Sequence, residues 1–225
     1  MITRGMSLDE IIKEFEIDYN YIYEQHKRLN DDNRYRRYIL KNLKTETTHV
    51  FKPIHYKTPR GNDYMLIPIT EGYNQYKKYG LELHAYLYYR LDGSDYYVVS
   101  QTSYFSNLIT DQEIGYGYTF YTPHYFDRYQ ERYLKNKKMP RLELITSYFS
   151  NSYEKGVIRC SEDEELLKKY PNNYYCYNPY GLSLGRFLTE DKKIILATTF
   201  LSFDMLRGNQ IDEAKLLKEI YDEVN

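Results

Sequence analysis

Between two blocks of strand-like sequence lies one segment, Tyr121-Thr-Pro-His-Tyr-Phe-Asp-Arg-Tyr-Gln-Glu-Arg-Tyr133, whose residues recur every four positions. Each step of four turns a helix by roughly 400°, so His124, Arg128 and Arg132 drift only about 80° around the axis. One face then carries an imidazole above two guanidiniums. Tyr125, Tyr129 and Tyr133 form a neighbouring stripe able to bury itself. A helix of this kind, set between strand blocks, constrains the chain to an α+β arrangement.

The flanking patterns fill in that arrangement. Ser7-Leu-Asp-Glu10 is a capping box, and Ile11, Ile12, Phe15, Tyr19 and Ile22 follow at helical spacing, which predicts a helix over 8–28. Asn30-Asp-Asp-Asn33 breaks it and caps a second helix carrying Tyr35, Tyr38, Ile39 and Leu43. The pattern then turns to an antiparallel β-meander of about four strands, Thr47–Lys57, Tyr64–Ile69, Leu81–Leu91 and Tyr96–Thr102, separated by Gly- and Asp-rich turns. Residues 104–117 read as irregular. Pro123 suits the first turn of the His124 helix. A short helix over Leu142–Phe149 follows, then a four-stranded antiparallel sheet: Gly156–Cys160, Tyr174–Tyr177, Leu182–Leu188 and Lys193–Phe200. Ser161 caps a short acidic helix, and Ile211–Val224 closes the chain as an amphipathic helix. The expected organisation is an N-terminal part, 1–104, and a second part, 118–225, or one continuous domain.

Charge excludes one class of function. The net charge is −1 with a pI near 6.5, so the chain is not a protein that coats nucleic acid through bulk electrostatics. The charge is unevenly spread, however. Six Lys/Arg face two Asp/Glu over Tyr121–Arg141, and five face two over Asp31–Lys44. Such stretches suit a phosphate ligand or an ordinary solvated helix face. Two cysteines, Cys160 and Cys176, are too few for a disulfide scaffold and lack zinc-site spacing. No apolar run long enough for a signal core or a membrane span occurs, so the expectation is a soluble, cytoplasmic protein with no membrane partner.

In the His124 helix, the imidazole can exchange a proton with a ribose hydroxyl or a leaving oxygen, while Arg128 and Arg132 stabilise charge on phosphate. The same spacing also fits a solvated surface helix in which Asp127 and Glu131 pair with their basic neighbours. The pattern His124-x-x-x-Arg128-x-x-x-Arg132, with Glu131 before the second Arg, resembles the leading helix of barnase-like, colicin-type and RelE-like metal-independent ribonuclease toxins. The resemblance spans about residues 120–205. It implies helices before a four-stranded antiparallel sheet, RNA cleavage without a metal or cofactor, and an antitoxin partner. The remaining length and the 45–105 meander have no counterpart there.

Strand residues offer further contacts. Arg159, Arg186 and Lys193 are candidates for phosphate or RNA, Thr199 is a candidate to assist His124, and Ser183 and Thr198 lie nearby in the pattern. Each is also an ordinary strand or turn residue. His49, His55 and His84 lie on predicted strands without metal-site spacing, and Arg34-Tyr-Arg-Arg-Tyr38 interleaves bases with aromatic rings. Two functions follow from this reading. One is a metal-independent endoribonuclease, toxin-like or RNA-processing. The other is a non-catalytic protein that binds protein or nucleic acid, of the kind carried by phages or mobile elements.

Overall fold

The computed structural model describes the chain except residues 44–46, 92, 94, 106–113, 136, 152–156, 161–167, 169–171, 179, 192 and 225, with backbone only for 102–105, 114–116, 157–160 and 223–224. It is an α+β protein that divides into two compact units, Met1–Ser94 and Asp95–Asn225.

In the first unit, helix α1 (Leu8–Asp31) starts at a complete capping box. Ser7 Oγ accepts from the Glu10 amide at 3.2 Å, and Glu10 Oε2 accepts from the Ser7 amide at 2.7 Å. It buries Ile11, Phe15, Asp18 and Ile22, one residue per turn. The helix continues three residues past the expected end, because Asp32 serves both as its C-cap and as the N-cap of α2 (Asn33–Asn42). The expected strand over 47–57 is two strands, β1 (His49–Val50) and β2 (Ile54–Lys57), both antiparallel to β3 (Asp63–Thr70). Val50 faces Ile69 and Ile54 faces Leu66, so one extra residue lies between them, at Phe51-Lys-Pro53. That slip puts His49 and His55 on opposite faces of the sheet.

Helix α3 (Tyr73–Tyr79), missed in the sequence, connects β3 to β4 (Glu82–Arg90), which pairs antiparallel with β3. Its brackets are Gly72 and Gly80, and Gly80 takes φ +78° at the C-cap. Ile39, Phe51, Tyr76 and Leu81 form the core that joins α2 and α3 to the strands.

In the second unit the strand order is β5–β6–β10–β9–β8–β7. The strands are β5 (Tyr96–Phe105), β6 (Ile114–Tyr121), β7 (Val157–Cys160), β8 (Asn173–Asn178), β9 (Gly181–Phe187) and β10 (Ile194–Leu201). Both ends of the stretch read as irregular, 104–105 and 114–117, are therefore strand. The two glycines of β6, Gly115 and Gly117, hid it from a propensity argument. Strands β7 to β10 are antiparallel as expected, whereas β6 and β10 pair in parallel, which corrects the all-antiparallel expectation. A parallel pair requires a crossover, and everything from 122 to 193 provides it.

Helices α4 (Pro123–Arg132) and α5 (Arg141–Asn151) belong to that crossover, and α6 (Asn209–Val224) closes the unit. Ser183 on β9 bonds to Tyr125 of α4, whereas its neighbour Leu182 packs with Ala214 and Leu217 of α6. Adjacent strand residues point to opposite faces, so α4 covers one face of this sheet and α6 the other. The acidic helix expected after Ser161 lies outside the described residues.

Candidate functional site

Thr122 follows β6 and caps α4: its side chain accepts from the Tyr125 amide at 3.3 Å, and Pro123 occupies the first turn. The tyrosine stripe is what docks the helix. Tyr125 and Tyr129 are fully buried. Their rings meet Tyr148 edge to face, with centroids 5.5 and 4.9 Å away, and Phe200 of β10 at 6.3 and 5.3 Å. The Tyr125 hydroxyl shares hydrogen bonds with Tyr148 Oη at 2.7 Å and Ser183 Oγ at 2.5 Å. Ser183 is therefore a core residue that satisfies buried hydroxyls and does not reach solvent. Desolvation drives the Tyr125 and Tyr148 hydroxyls well above the usual phenol range, so they stay protonated in the folded protein.

Burial of the tyrosines turns the charged face outward. Arg128, its side chain one-third exposed, points both ways along the helix. Its Nε donates to His124 Nε2 at 3.2 Å and its Nη1 to Glu131 Oε2 at 2.6 Å. Donation to Nε2 requires a lone pair there and puts the ring proton on Nδ1. An imidazole and a carboxylate thus flank one guanidinium. In the sequence Glu131 stands out as a local ion-pair partner and as the acid before the second Arg of the pattern, without a role of its own.

Arg132 does something different. Its Nη1 donates to the Phe200 carbonyl at 2.7 Å and to Thr199 Oγ1 at 3.3 Å. Strand β10 outlasts its parallel partner: Ala197 faces Tyr121, the last residue of β6, and the next four residues have no β6 neighbour. Arg132 satisfies a carbonyl on this stretch, which gives the guanidinium a backbone role. Thr199 is thereby brought to the His124 helix, as its candidacy requires, while Thr198 is turned to the Leu184 carbonyl at 3.2 Å.

The other candidates are elsewhere. Arg186 lies on β9 three residues from Ser183, hence on the face opposite α4, and is exposed. Lys193 stands just before β10, six residues from Thr199, and pairs with Asp191 at 3.5 Å. Arg159 lies on β7 with its side chain outside the described residues. Arg141, which the sequence reading passed over, ties two parts of the unit together: Nε reaches Asp95 Oδ2 at 2.5 Å and Nη2 bonds Asp127 Oδ1. Asp127 is thus drawn away from the His124 face.

Among the described residues no group of three His, Cys, Asp or Glu side chains converges as metal ligands would, and no helix is long and apolar enough to cross a membrane. No family model, curated protein or solved structure matches the chain.

Proposed function

We propose that the second unit is a metal-independent endoribonuclease, toxin-like or RNA-processing, with its centre on the exposed face of α4. The observation that carries this reading is the guanidinium of Arg128, which holds His124 at 3.2 Å on one side and Glu131 at 2.6 Å on the other. Cleavage of RNA by its own 2′-hydroxyl needs a base for that proton, an acid for the departing 5′-oxygen, and cationic donors for the phosphoryl oxygens between them. A carboxylate and an imidazole on either side of a guanidinium meet that requirement.

In the reaction, a phosphate takes the place of Glu131 and His124 on the Arg128 fork, and both side chains are released toward the substrate. The 2′-oxygen attacks phosphorus as its proton passes to the Glu131 carboxylate. The bond from phosphorus to the 5′-oxygen breaks as His124, which takes a proton from solvent at Nε2 once Arg128 turns to the phosphate, donates that proton to the departing oxygen, and solvent returns Glu131 to the carboxylate. Thr199 adds a hydroxyl donor beside Arg132. The succession of α4, α5 and the antiparallel strands β7 to β10 also supports the reading, because the resemblance of residues 120–205 to ribonuclease toxins implies this order.

The test is RNA cleavage in EDTA by wild type and His124→Ala, resolved on a sequencing gel. Cleavage by the wild type that disappears in the variant, with an unchanged melting temperature, supports the reading. Intact total RNA, tRNA and ribosomes after incubation with folded wild type would leave α4 as a scaffold. The protein would then be a non-catalytic binding protein.

A further inference from the structure

The Arg34-Tyr-Arg-Arg-Tyr38 motif belongs to the first unit, on α2, and the proposed nuclease makes no use of it. Taking buried Ile39 as the inward direction, Arg34, Arg37 and Lys41 fall within about 60° of one another on the far side of the helix. They span roughly 10 Å along its axis. All three are exposed, and α2 contains no acidic residue. None of the three has a carboxylate partner among the described residues, and the Asp32 carboxylate at the N-cap is taken up by the amides of Arg34 and Tyr35 at 2.7 and 3.3 Å.

Beside this stripe stands Tyr38, 45% exposed. Two rings hold it in place: it stacks on Tyr35 at 5.8 Å and an interplanar angle of 29°, and meets Phe51 edge to face at 6.0 Å. Phe51 is itself buried in the core with Ile39. An exposed aromatic ring held in position, next to cations without acids, is what unpaired bases and their phosphates require together. An acidic protein would need the cations and not the ring, and a duplex would offer no free base face to stack on it.

We infer that the outer face of α2 is a binding surface for single-stranded nucleic acid, with Arg34, Arg37 and Lys41 on consecutive phosphates and Tyr38 stacking a base. This inference does not depend on cleavage by the second unit.

The experiment is fluorescence anisotropy of the full chain with a labelled 2′-O-methyl RNA of about 12 nucleotides, which binds as a single strand and cannot be cut through its 2′-oxygen. Three phosphate contacts predict a slope of log affinity against log salt near −2, since each contact on a single strand contributes about −0.7. The R34Q/R37Q/K41Q variant should lose that slope and bind at least tenfold more weakly at low salt. Tyr38→Leu should lose about tenfold while Tyr38→Phe keeps wild-type affinity. Circular dichroism melts establish that each variant is folded. A DNA oligonucleotide of the same sequence that binds equally well makes the surface indifferent to the sugar, within the inference. Wild-type affinity and slope retained in the triple variant would overturn it, as would absence of wild-type binding. Equal binding of base-free polyphosphate, unaffected by Tyr38→Leu, would overturn it too. The readout is binding of an RNA that cannot be cut, so a failure of the nuclease reading leaves this result intact.

Discussion

Arg128 bonds His124 through Nε and Glu131 through Nη1, a division of labour open to a planar fork and closed to a single ammonium. Arg128→Lys keeps the charge and loses the geometry. On the proposed nuclease reading, RNA cleavage by this variant should be about a hundredfold slower than by wild type with no change in melting temperature, measured by single-turnover kinetics alongside a thermal melt. Glu14 on α1 shows the same sensitivity in a purely structural setting. It accepts from the Met1 ammonium and from Asn62 Nδ2, each at 2.9 Å, and pairs with Arg60. With the ammonium as the largest cause, these partners pull its carboxyl from 4.5 to about 2. The folded state therefore binds this proton less readily than the unfolded chain. The stabilisation is full above about 4.5 and is lost as pH falls toward 2. Glu14→Gln should lower the melting temperature at neutral pH, and the gap to wild type should close as pH approaches 2.

Elements are held by close fits that a local pattern does not disclose. A Cβ at Gly185 on β9 would stand 2.0 Å from the Leu196 carbonyl oxygen and 2.6 Å from the Tyr174 ring. Gly185→Ala should destabilise the protein by about 1–3 kcal/mol in denaturant titration through overpacking. Tyr125→Phe removes the hydroxyl shared by Tyr148 and Ser183 and should cost about 1–2 kcal/mol, without affecting residues on the outer face of α4. Much of α4 was legible in the sequence. The four-residue spacing of Tyr125, Tyr129 and Tyr133 announced a stripe able to bury itself, of which Tyr125 and Tyr129 are buried while Tyr133, at the C-cap, stays exposed; the spacing of His124, Arg128 and Arg132 announced a shared face. What escaped was set by neighbours distant in the chain. Arg132 turns to the backbone of β10 because β6 ends early, and Asp127 turns to Arg141 because α5 begins beside it. Helix α3 escaped for a different reason: seven residues between two glycines carry too little periodicity to distinguish a helix from a turn.

At the scale of the molecule, 30 tyrosines and no tryptophan make the chain a uniform phenol reporter. Burial raises the hydroxyls of Tyr125, Tyr148 and Tyr174 well above the ordinary value of 10.0, and that of Tyr35 to about 12. The folded state holds these protons while the unfolded chain releases them, so stability falls as pH rises above about 10. Ultraviolet titration should show exposed tyrosines ionising smoothly and a buried class ionising in one step, together with loss of circular dichroism. A single smooth curve for all of them would contradict the packing around α4. On α2 Arg34, Arg37 and Lys41 share one face, which a net charge of −1 concealed, whereas on α4 Arg128 and Arg132 are balanced by Asp127 and Glu131 and the rest of that basic excess lies beyond the helix. The order of strands in the second unit also has a kinetic consequence. Strand β10 sits between β6 and β9, yet it is made last. A chain emerging from the ribosome with β5 to β9 complete lacks the middle of its sheet and exposes two open strand edges, one on β6 and one on β9. Release of β10 seals both at once, so chains truncated before Ile194 should aggregate more than the full chain at equal concentration, measured by light scattering.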